Sequence, residues 1–252
     1  MRSPYPEAVF DVDFYKSNPA PFCSLAAEIW PGRKHAPTLT HSFVSLLAKN
    51  NLLLRNYSQN IDGLEYLAGI PPERLVECHG HFRTATCTSC GAKADADAVK
   101  HTIVEQAAAP VCRRCECYVK PDIVFFGEGL PDRFHTLLKQ DLPVADMVLI
   151  LGTSLQVAPV SMIPDMVGRK CKRVLLNREL VGDLDLDDDE RDLFHAGDCD
   201  AAIQQLAAAL GWQDDLLEWN TRVTSSIAGS GSSGESATTS GAGSVEEKES
   251  SS

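Results

Sequence analysis

The chain has 252 residues, a formal net charge of −12 at pH 7 and 44% hydrophobic residues. This length allows one large domain, alone or with a small insert. The negative charge argues against non-specific binding to nucleic acid, because nothing would neutralise a phosphate backbone, and it favours basic partners such as lysine-rich peptides. No apolar run approaches the ~20 residues of a membrane span, and the first ten residues do not resemble a secretory signal.

Aromatic residues are predicted to anchor the N-terminal region, which is also rich in proline. Phe10, Phe14 and Phe22 are the candidate anchors for short helical pieces. Further along, apolar residues at helical spacing predict a helix over 40–49, with Thr40 as its N-cap.

A polar loop between two predicted strands holds the first candidate for chemistry. Apolar runs over 52–57 and 75–79 predict buried strands, and a short helix is predicted over 62–69. The loop over 58–62, with the sequence SQNID, carries amide and carboxylate groups that can hold a polar ligand. The second strand ends at His79, and histidine is the side chain whose ordinary pKa suits proton removal near neutral pH. The alternative is a loop of helix-capping residues beside a core histidine.

Four of the nine cysteines form two CxxC pairs, which predict a zinc site. Cys87 and Cys90 are followed, after 21 intervening residues, by Cys112 and Cys115. Two such pairs present four thiolates to one tetrahedral ion. The odd cysteine count favours metal over a disulfide framework and fits a reducing compartment. No histidine or carboxylate is spaced to leave an open catalytic position, so the zinc is expected to be structural, and Cys117 is interpreted as a spare thiol.

The segments around the second cysteine pair have two readings each. Residues 92–108 are predicted to form a helix or a hairpin. Residues 119–128, VKPDIVFFGE, could be plain core. Alternatively, Phe126 could line a pocket and leave its backbone groups free to bond a peptide strand.

Alternating strands and helices in the second half predict an α/β fold. A helix is predicted over 131–142, and continuous apolar strands are predicted over 147–151 and 173–176. The first of these strands breaks into Gly-Thr-Ser at 152–154. Small and hydroxyl residues at the carboxyl end of a strand are typical of ligand sites in open α/β sheets.

The C-terminal part begins with acidic residues and ends with small polar ones. The acidic run over 183–192 is interpreted as a solvated loop, followed by a short strand over 192–195. Helices are predicted over 198–210 and 212–219. After residue 224 almost no large apolar residue remains, so this tail is expected to be disordered.

Six motifs together resemble one family. SQNID, the His-Gly of ECHGHF, the two CxxC pairs, VKPDIVFFGE, LGTSLQV and LLNRE occur in this order in the sirtuins, the NAD-dependent protein deacylases. The resemblance covers residues 1 to about 220. It implies an α/β fold with a Rossmann-type doubly wound parallel sheet and a small inserted zinc-binding module. The implied domains are a Rossmann-type domain over 1–82 and 121–223, a zinc-binding module over 83–120, and a disordered Ser/Gly-rich tail over 224–252.

The resemblance also implies a role for each site residue. His79 would be the general base, and Cys87, Cys90, Cys112 and Cys115 would hold zinc. NAD would contact Gln59 and Asn60 at the nicotinamide ribose, Ile61 and Asp62 at the carboxamide, Gly152, Thr153 and Ser154 at a ribose or phosphate, Asn177 and Glu179 at the adenosine ribose with Arg178 between them, and Cys199 at the adenine. The acyl-lysine substrate would contact Val124, Phe125, Phe126, Gly127 and Glu128, with Val124 and Phe126 lining the acyl-lysine tunnel and pairing with the peptide.

The implied activity is NAD-dependent protein-lysine deacetylation. The acyl oxygen would attack ribose C1′ as nicotinamide departs, and His79 would then take a proton from a ribose hydroxyl. NAD is consumed as a co-substrate, and acetyl-lysine proteins such as histones or tubulin are the implied partners, with no direct nucleic-acid or membrane partner. The expected compartment is the cytoplasm, with the nucleus as an alternative. Two other readings stay open: a protein mono-ADP-ribosyltransferase and a catalytically impaired binding module.

One family segment has no counterpart in this sequence. Sirtuins begin their Rossmann core with a segment of the type GAGxSxxxGIPDFR, and Met1-Arg2-Ser3-Pro4 resembles only its end. Either the protein starts further upstream, or the chain is a fragment that is unstable or inactive; we favour the first. The segment would otherwise supply a strand, so its lack is expected to leave an unpaired sheet edge.

Overall fold

The computed structural model describes residues 6–32, 34–187 and 190–230. Its helices are α1 (Val12–Ser17), α2 (Ala20–Ile29), α3 (Leu39–Lys49), α4 (Leu64–Leu67), α5 (Ala96–Val104), α6 (Asp132–Asp141), α7 (Ile163–Met166), α8 (Cys199–Ala209) and α9 (Gln213–Ser230), with 3₁₀ turns at Pro6–Phe10 and Val160–Met162. Its strands are β1 (Asn56–Ser58), β2 (Leu75–Glu77), β3 (Gly80–Cys87), β4 (Lys93–Ala94), β5 (Val119–Ile123), β6 (Met147–Leu151), β7 (Lys172–Asn177) and β8 (Asp192–Ala196).

Two parallel sheets carry the α/β part of the fold. β1 pairs with β2, and β7 lies between β6 and β8. This confirms the predicted α/β class with parallel strands, although within the described ranges the two sheets are not hydrogen-bonded to each other. In each sheet the strands run in one direction, so the residues that follow them emerge at a common edge.

An antiparallel sheet in the order β4, β3, β5 forms with α5 the part of the chain that contains the cysteine pairs. Asp95 begins α5 by accepting a hydrogen bond from the amide of Ala98 at 2.7 Å, as an N-cap does. The core of this part continues into α1 and α2, because Val99 and Ile103 belong to the same buried cluster as Tyr15 and Phe22.

Aromatic rings fill the centre of that shared core. Phe22 and Phe125 are both 1% exposed, and their ring centroids lie 4.9 Å apart at an interplanar angle of 64°. Tyr15 contacts both rings edge to face and donates a hydrogen bond to the carbonyl of Val119 at 2.6 Å. The prediction of Phe14 as an anchor was wrong, because Phe14 is half-buried and its neighbour Tyr15 takes the central position.

Two predictions in the first half were wrong in their boundaries. The strand predicted over 52–57 is only β1, since Leu52 is 64% exposed and its amide donates to the carbonyl of Leu47 in a turn that closes α3. The N-cap of α3 is Thr38 rather than Thr40. Thr40 instead donates through its amide to Asp200 Oδ1 at 2.9 Å, a tertiary contact that local sequence does not specify.

The second half follows the predicted order of strands and helices. α6, β6, β7, β8 and α8 each lie within two residues of their predicted bounds. One residue of the acidic run differs, however: Asp192 is only 3% exposed and pairs with the buried guanidinium of Arg173. The other acidic residues described in this run are exposed, as predicted, whereas Leu184 and Arg191 are half-buried.

Helix α9 extends beyond the predicted end of ordered chain. Residues 224–230, assigned by composition to the disordered tail, lie in this helix. Hydroxyl groups support the extension, because Thr221 and Thr224 donate to the carbonyls of Leu217 and Asn220, each at 2.8 Å. The remainder of the predicted tail, 231–252, lies outside the described residues.

Among the described residues no helix is both long enough and apolar enough to cross a membrane.

Candidate active site

His79 lies at the carboxyl end of β2, where a backbone carbonyl fixes its imidazole. Its Nδ1 lies 2.8 Å from the carbonyl oxygen of Gln59. A carbonyl can only accept a hydrogen bond, so the proton is on Nδ1. In the neutral ring Nε2 then carries the free lone pair, which is the form of imidazole that a general base requires.

The side chain of Gln59 connects the two parallel sheets. Its Nε2 donates to Thr153 Oγ1 at 3.2 Å. Thr153 follows β6, and its carbonyl in turn accepts a hydrogen bond from Asn177 Nδ2 at 3.1 Å, at the end of β7. These hydrogen bonds connect His79, Gln59, Thr153 and Asn177 in one continuous row. The row lies at the carboxyl ends of strands from both parallel sheets.

Gly80 places the predicted substrate segment beside His79. β3 pairs with β5 at Gly80 and Ile123, and the amide of Val124 donates to the carbonyl of His79 at 2.9 Å. A Cβ on Gly80 would lie 2.0 Å from the carbonyl oxygen of Asp122, and its φ is +78°. Only glycine fits such a close approach with a positive φ.

The segment 124–128 differs in three respects from the predicted substrate-binding surface. Phe125 is 1% exposed and belongs to the aromatic core, because alternate residues of an extended chain face opposite sides. Phe126 is 58% exposed, but its backbone is not free: its amide donates to Phe10 and its carbonyl accepts from Val12. Glu128 is exposed, but its carboxylate is already engaged, since Oε2 accepts from the amide of Phe125 at 2.8 Å and pairs with Lys120 Nζ at 2.9 Å.

The region predicted for the adenosine half of NAD forms around the start of α8. Asp198 caps this helix by accepting from the amides of Asp200 and Ala201. Cys199 Sγ donates to the carbonyl of Leu176 at 3.1 Å, and burial raises its pKa. A Cβ on Gly152 would lie 3.4 Å from this sulfur, so the two predicted residues are in contact.

The other predicted NAD residues lie at the margins of this row. Arg178 is exposed and pairs with Asp198 at 3.4 Å, and Glu179 and Ser154 are also exposed. In the 58–62 loop, Asn60 is exposed, and Ile61 packs partly buried against the aromatic core. Asp62 Oδ1 accepts from the amide of Leu64 at 3.1 Å, but the N-cap of α4 is Gly63 rather than Asp62.

A contact between two buried polar residues, the first residue of the loop and a residue of α4, was missed by sequence reasoning. Ser58 and Glu65 are 7% and 5% exposed, and the Ser58 hydroxyl donates to Glu65 Oε1. Their separation by seven residues across a turn carries no recognisable sequence signal.

The four cysteines of the two CxxC pairs converge as predicted. All four Sγ atoms lie within 4.8 Å of one another, with Cys87 and Cys115 at 3.4 Å and Cys90 and Cys112 at 3.7 Å. Tetrahedral zinc with bonds of about 2.3 Å requires such sulfur separations. Cys117, the spare thiol of the prediction, is outside this group.

Backbone amides favour the thiolate form of Cys87 and Cys112. The pKa of Cys115 is raised instead, because a backbone hydrogen bond at Cys117 that lowers it is outweighed by hydrogen bonds with the sulfurs of Cys87 and Cys90. Burial works against ionisation of Cys87, but amides of Cys90 and Ser89 outweigh it and lower its pKa to about 6. The pKa of Cys112 is also lowered, by amides of Arg114 and Cys115. The donor set therefore fits one structural zinc ion, which favours four thiolates.

Comparison with known proteins adds an independent observation. The sequence model described as the Sir2 family matches residues 2–159. The chain is 45% identical over 212 residues to NAD-dependent deacetylase sir2D of Dictyostelium discoideum, covering 83% of this chain and 38% of that protein. It is 45% identical over 213 residues to NAD-dependent protein deacetylase hst2 of Schizosaccharomyces pombe, covering 84% and 63%. It is 43% identical over 232 residues to NAD-dependent protein deacetylase sirtuin-2 of Danio rerio, covering 85% and 61%. The chain thus spans less than two thirds of each of these relatives.

Proposed function

Because the chain belongs to the Sir2 family, we propose that the protein is an NAD-dependent protein-lysine deacetylase. It transfers the acetyl group of an acetyl-lysine protein to ADP-ribose and releases nicotinamide. The observation that carries this proposal is the contact between His79 Nδ1 and the carbonyl of Gln59, whose side chain reaches Thr153. The 58–62 loop therefore orients the imidazole of His79 and also contacts Thr153, one of the predicted NAD residues.

His79 is the general base of the proposed reaction. With the proton on Nδ1, Nε2 accepts the proton of a ribose hydroxyl. The Gln59 carbonyl holds this tautomer while the ring is neutral. It also stabilises the imidazolium that forms, since a hydrogen bond from a charged donor is stronger than one from a neutral donor.

NAD supplies the nicotinamide leaving group and the ADP-ribose acceptor. Its nicotinamide half lies against the 58–62 loop, and its adenosine half lies along the ends of β6 and β7 and the start of α8, where open parallel sheets bind ligands. The residues that hold it are Gln59, Asn60, Ile61, Asp62, Gly152, Thr153, Ser154, Asn177, Arg178, Glu179 and Cys199.

The acetyl-lysine substrate binds beside His79. Val124, whose amide is joined to the His79 carbonyl, and the exposed ring of Phe126 line its path. Since the backbone of Phe126 is already paired with residues 10–12 and the Glu128 amide donates to the carbonyl of Phe125, an added peptide strand pairs with Gly127 or with the Glu128 carbonyl instead. Histones or tubulin are substrates of suitable chemistry for this acidic protein, in the cytoplasm or nucleus.

The zinc ion has a structural role. It is held by Cys87, Cys90, Cys112 and Cys115 in a module over 83–120, inserted into a Rossmann-type domain over 1–82 and 121–223. No open coordination position is needed for the proposed reaction, because the proton acceptor is His79.

A product assay with paired histidine variants tests the proposed function. The chain is incubated with NAD and an acetyl-lysine peptide, and O-acetyl-ADP-ribose is measured by mass spectrometry. His79→Ala is expected to abolish product, whereas His101→Ala, an exposed histidine of α5, is expected to leave it unchanged. Labelled ADP-ribose on protein would indicate mono-ADP-ribosyl transfer instead. Peptide binding without NAD turnover would contradict catalysis by this chain.

A further inference from the structure

A carboxyl group next to the candidate active site is buried without full hydrogen bonding. Glu65, the second residue of α4, is 5% exposed, and its Oε2 has no hydrogen-bond partner in the described part of the chain. An unsatisfied buried polar atom costs roughly 1–3 kcal/mol. Such a group is rare in folded proteins, and its presence next to an active site calls for a role other than stability.

The other oxygen of this carboxyl group connects it to the 58–62 loop. Glu65 Oε1 accepts from the hydroxyl of Ser58, and Ser58 Oγ accepts from the amide of Asn60 at 3.1 Å. Ser58 ends β1 and is itself 7% exposed. Carboxyl, hydroxyl and amide therefore form a line of hydrogen bonds that spans the turn between Ser58 and Asn60.

Gln59 is the residue held between these two fixed points. Its carbonyl accepts from His79 Nδ1 at 2.8 Å, and its side chain donates to Thr153 Oγ1 at 3.2 Å. A rotation of the 59–60 peptide would move the carbonyl away from the imidazole. The tautomer of His79 consequently depends on the same turn that Ser58 and Glu65 hold.

The surroundings of Glu65 favour its uncharged form over the carboxylate. Burial is the main cause that raises its pKa, with Asp62 adding to it, while hydrogen bonds from the Ser58 hydroxyl and from a backbone amide, and the proximity of His41, act in the opposite direction. A residue that replaces Glu65 must accept the hydrogen bond from Ser58 at the position of Oε1, and an NH₂ group fits the position of Oε2. Glutamine is therefore its nearest isostere.

We propose that Glu65 is a positioning residue for His79, acting through Ser58 to hold the Gln59 carbonyl that fixes the imidazole tautomer. Its effect on turnover rests on the proposed deacetylase function. Its effect on the tautomer of His79 does not, because that is a property of the folded chain without substrate.

Three single variants and one double variant test this role in the full chain. Glu65→Met keeps the buried volume but removes the acceptor, Glu65→Gln keeps the acceptor, and Ser58→Ala removes the connecting hydroxyl. Long-range ¹H–¹⁵N correlation spectra of histidine-labelled protein report the tautomer of His79, and thermal unfolding reports whether each variant is folded.

The expected spectra separate the variants. Wild type and Glu65→Gln give the Nδ1–H tautomer alone, whereas Glu65→Met and Ser58→Ala give a mixture with the Nε2–H form. In turnover, kcat falls about 10- to 100-fold in Glu65→Met, as misplacement of a reacting group predicts, and Glu65→Gln restores most of it. The Ser58→Ala/Glu65→Met double variant is no slower than the slower single variant, because both act along one path.

Two results would overturn the inference. One is a folded Glu65→Met protein in which His79 keeps the Nδ1–H tautomer alone. The other is kcat losses that multiply in the double variant. If wild type makes no O-acetyl-ADP-ribose but the tautomer shifts as expected, the deacetylase proposal fails and the positioning role stands.

Discussion

Replacing Asp192 with asparagine tests the buried ion pair that holds the acidic loop to the parallel sheet. Arg173 and Asp192 are 4% and 3% exposed, and Nε of the arginine lies 2.8 Å from Oδ1. The second carboxylate oxygen accepts from Arg173 and from the amide of Asp185 at 2.8 Å. Asparagine keeps the shape and removes the charge, so among the described residues the guanidinium retains one other ion pair, with Asp165 at 3.1 Å.

The expected loss follows from this geometry. Removing one partner of a buried pair costs about 3–5 kcal/mol, because the other charge is left without compensation. The remaining contact with Asp165, whose side chain is 51% exposed, places Asp192→Asn at the low end, about 3 kcal/mol. Asp165→Asn, the matched control, is expected to cost less than about 1 kcal/mol.

Urea unfolding followed by fluorescence measures both variants. With a slope of about 2–3 kcal/mol per molar, Asp192→Asn moves the midpoint down by about 1 M. The pair also predicts a pH dependence. Arg173 lowers the pKa of Asp192, so its contribution is complete above the unfolded-state pKa of about 3.9 and is lost as pH falls through the lower folded-state value. Equal midpoint shifts for Asp192→Asn and Asp165→Asn would refute this reasoning.

Three further predictions concern the site and the zinc cluster. Gly80→Ala places a Cβ 2.0 Å from a carbonyl oxygen of β5, so we expect a lower melting temperature and loss of deacetylation, measured by calorimetry and product assay; a fully active variant would contradict the close approach. The chain is expected to contain one zinc ion by elemental analysis, and Cys90→Ser or a strong chelator is expected to remove it and lower the melting temperature; unchanged melting after metal removal would argue against a structural role. Lys120→Met removes the 2.9 Å ion pair with Glu128, so KM for the acetyl peptide is expected to rise several-fold with little change in KM for NAD. Lys100→Met, at an exposed lysine, is the control. Equal peptide KM values in Lys120→Met and wild type would show that the ion pair does not shape the substrate segment.

Strands β6 and β7 were predictable from their continuous apolar residues, although Met147 of β6 is 51% exposed. β6 is an unbroken apolar run, and β7 repeats the pattern with a buried Leu175 at its centre. The zinc cluster was predictable for a similar reason, since CxxC spacing determines which sulfurs can share an ion.

The features that were missed depend on contacts between distant residues. Thr38 and Thr40 are equally good N-caps by composition, and the choice is made by Asp200, which bonds Thr40 from α8. Asp192 reads as one more acid in a solvated run until Arg173 reaches it from β7. Glu65 looks like a surface residue of a short helix, and only the folded turn reveals the hydroxyl of Ser58 beneath it.

Strand β5 connects the cysteine-containing part of the chain with the surroundings of His79. At one end the amide of Val119 is bonded to the carbonyl of Pro110 in the cysteine-containing part, and at the other the strand delivers Val124 to the carbonyl of His79. Five residues at about 3.4 Å each separate these ends. On the proposed function, metal occupancy and peptide recognition are expected to be linked equilibria, since a ligand that orders one end of the strand reduces the entropy that the other end must lose on binding. Removal of zinc is expected to increase the rate of amide hydrogen exchange first in residues 124–128.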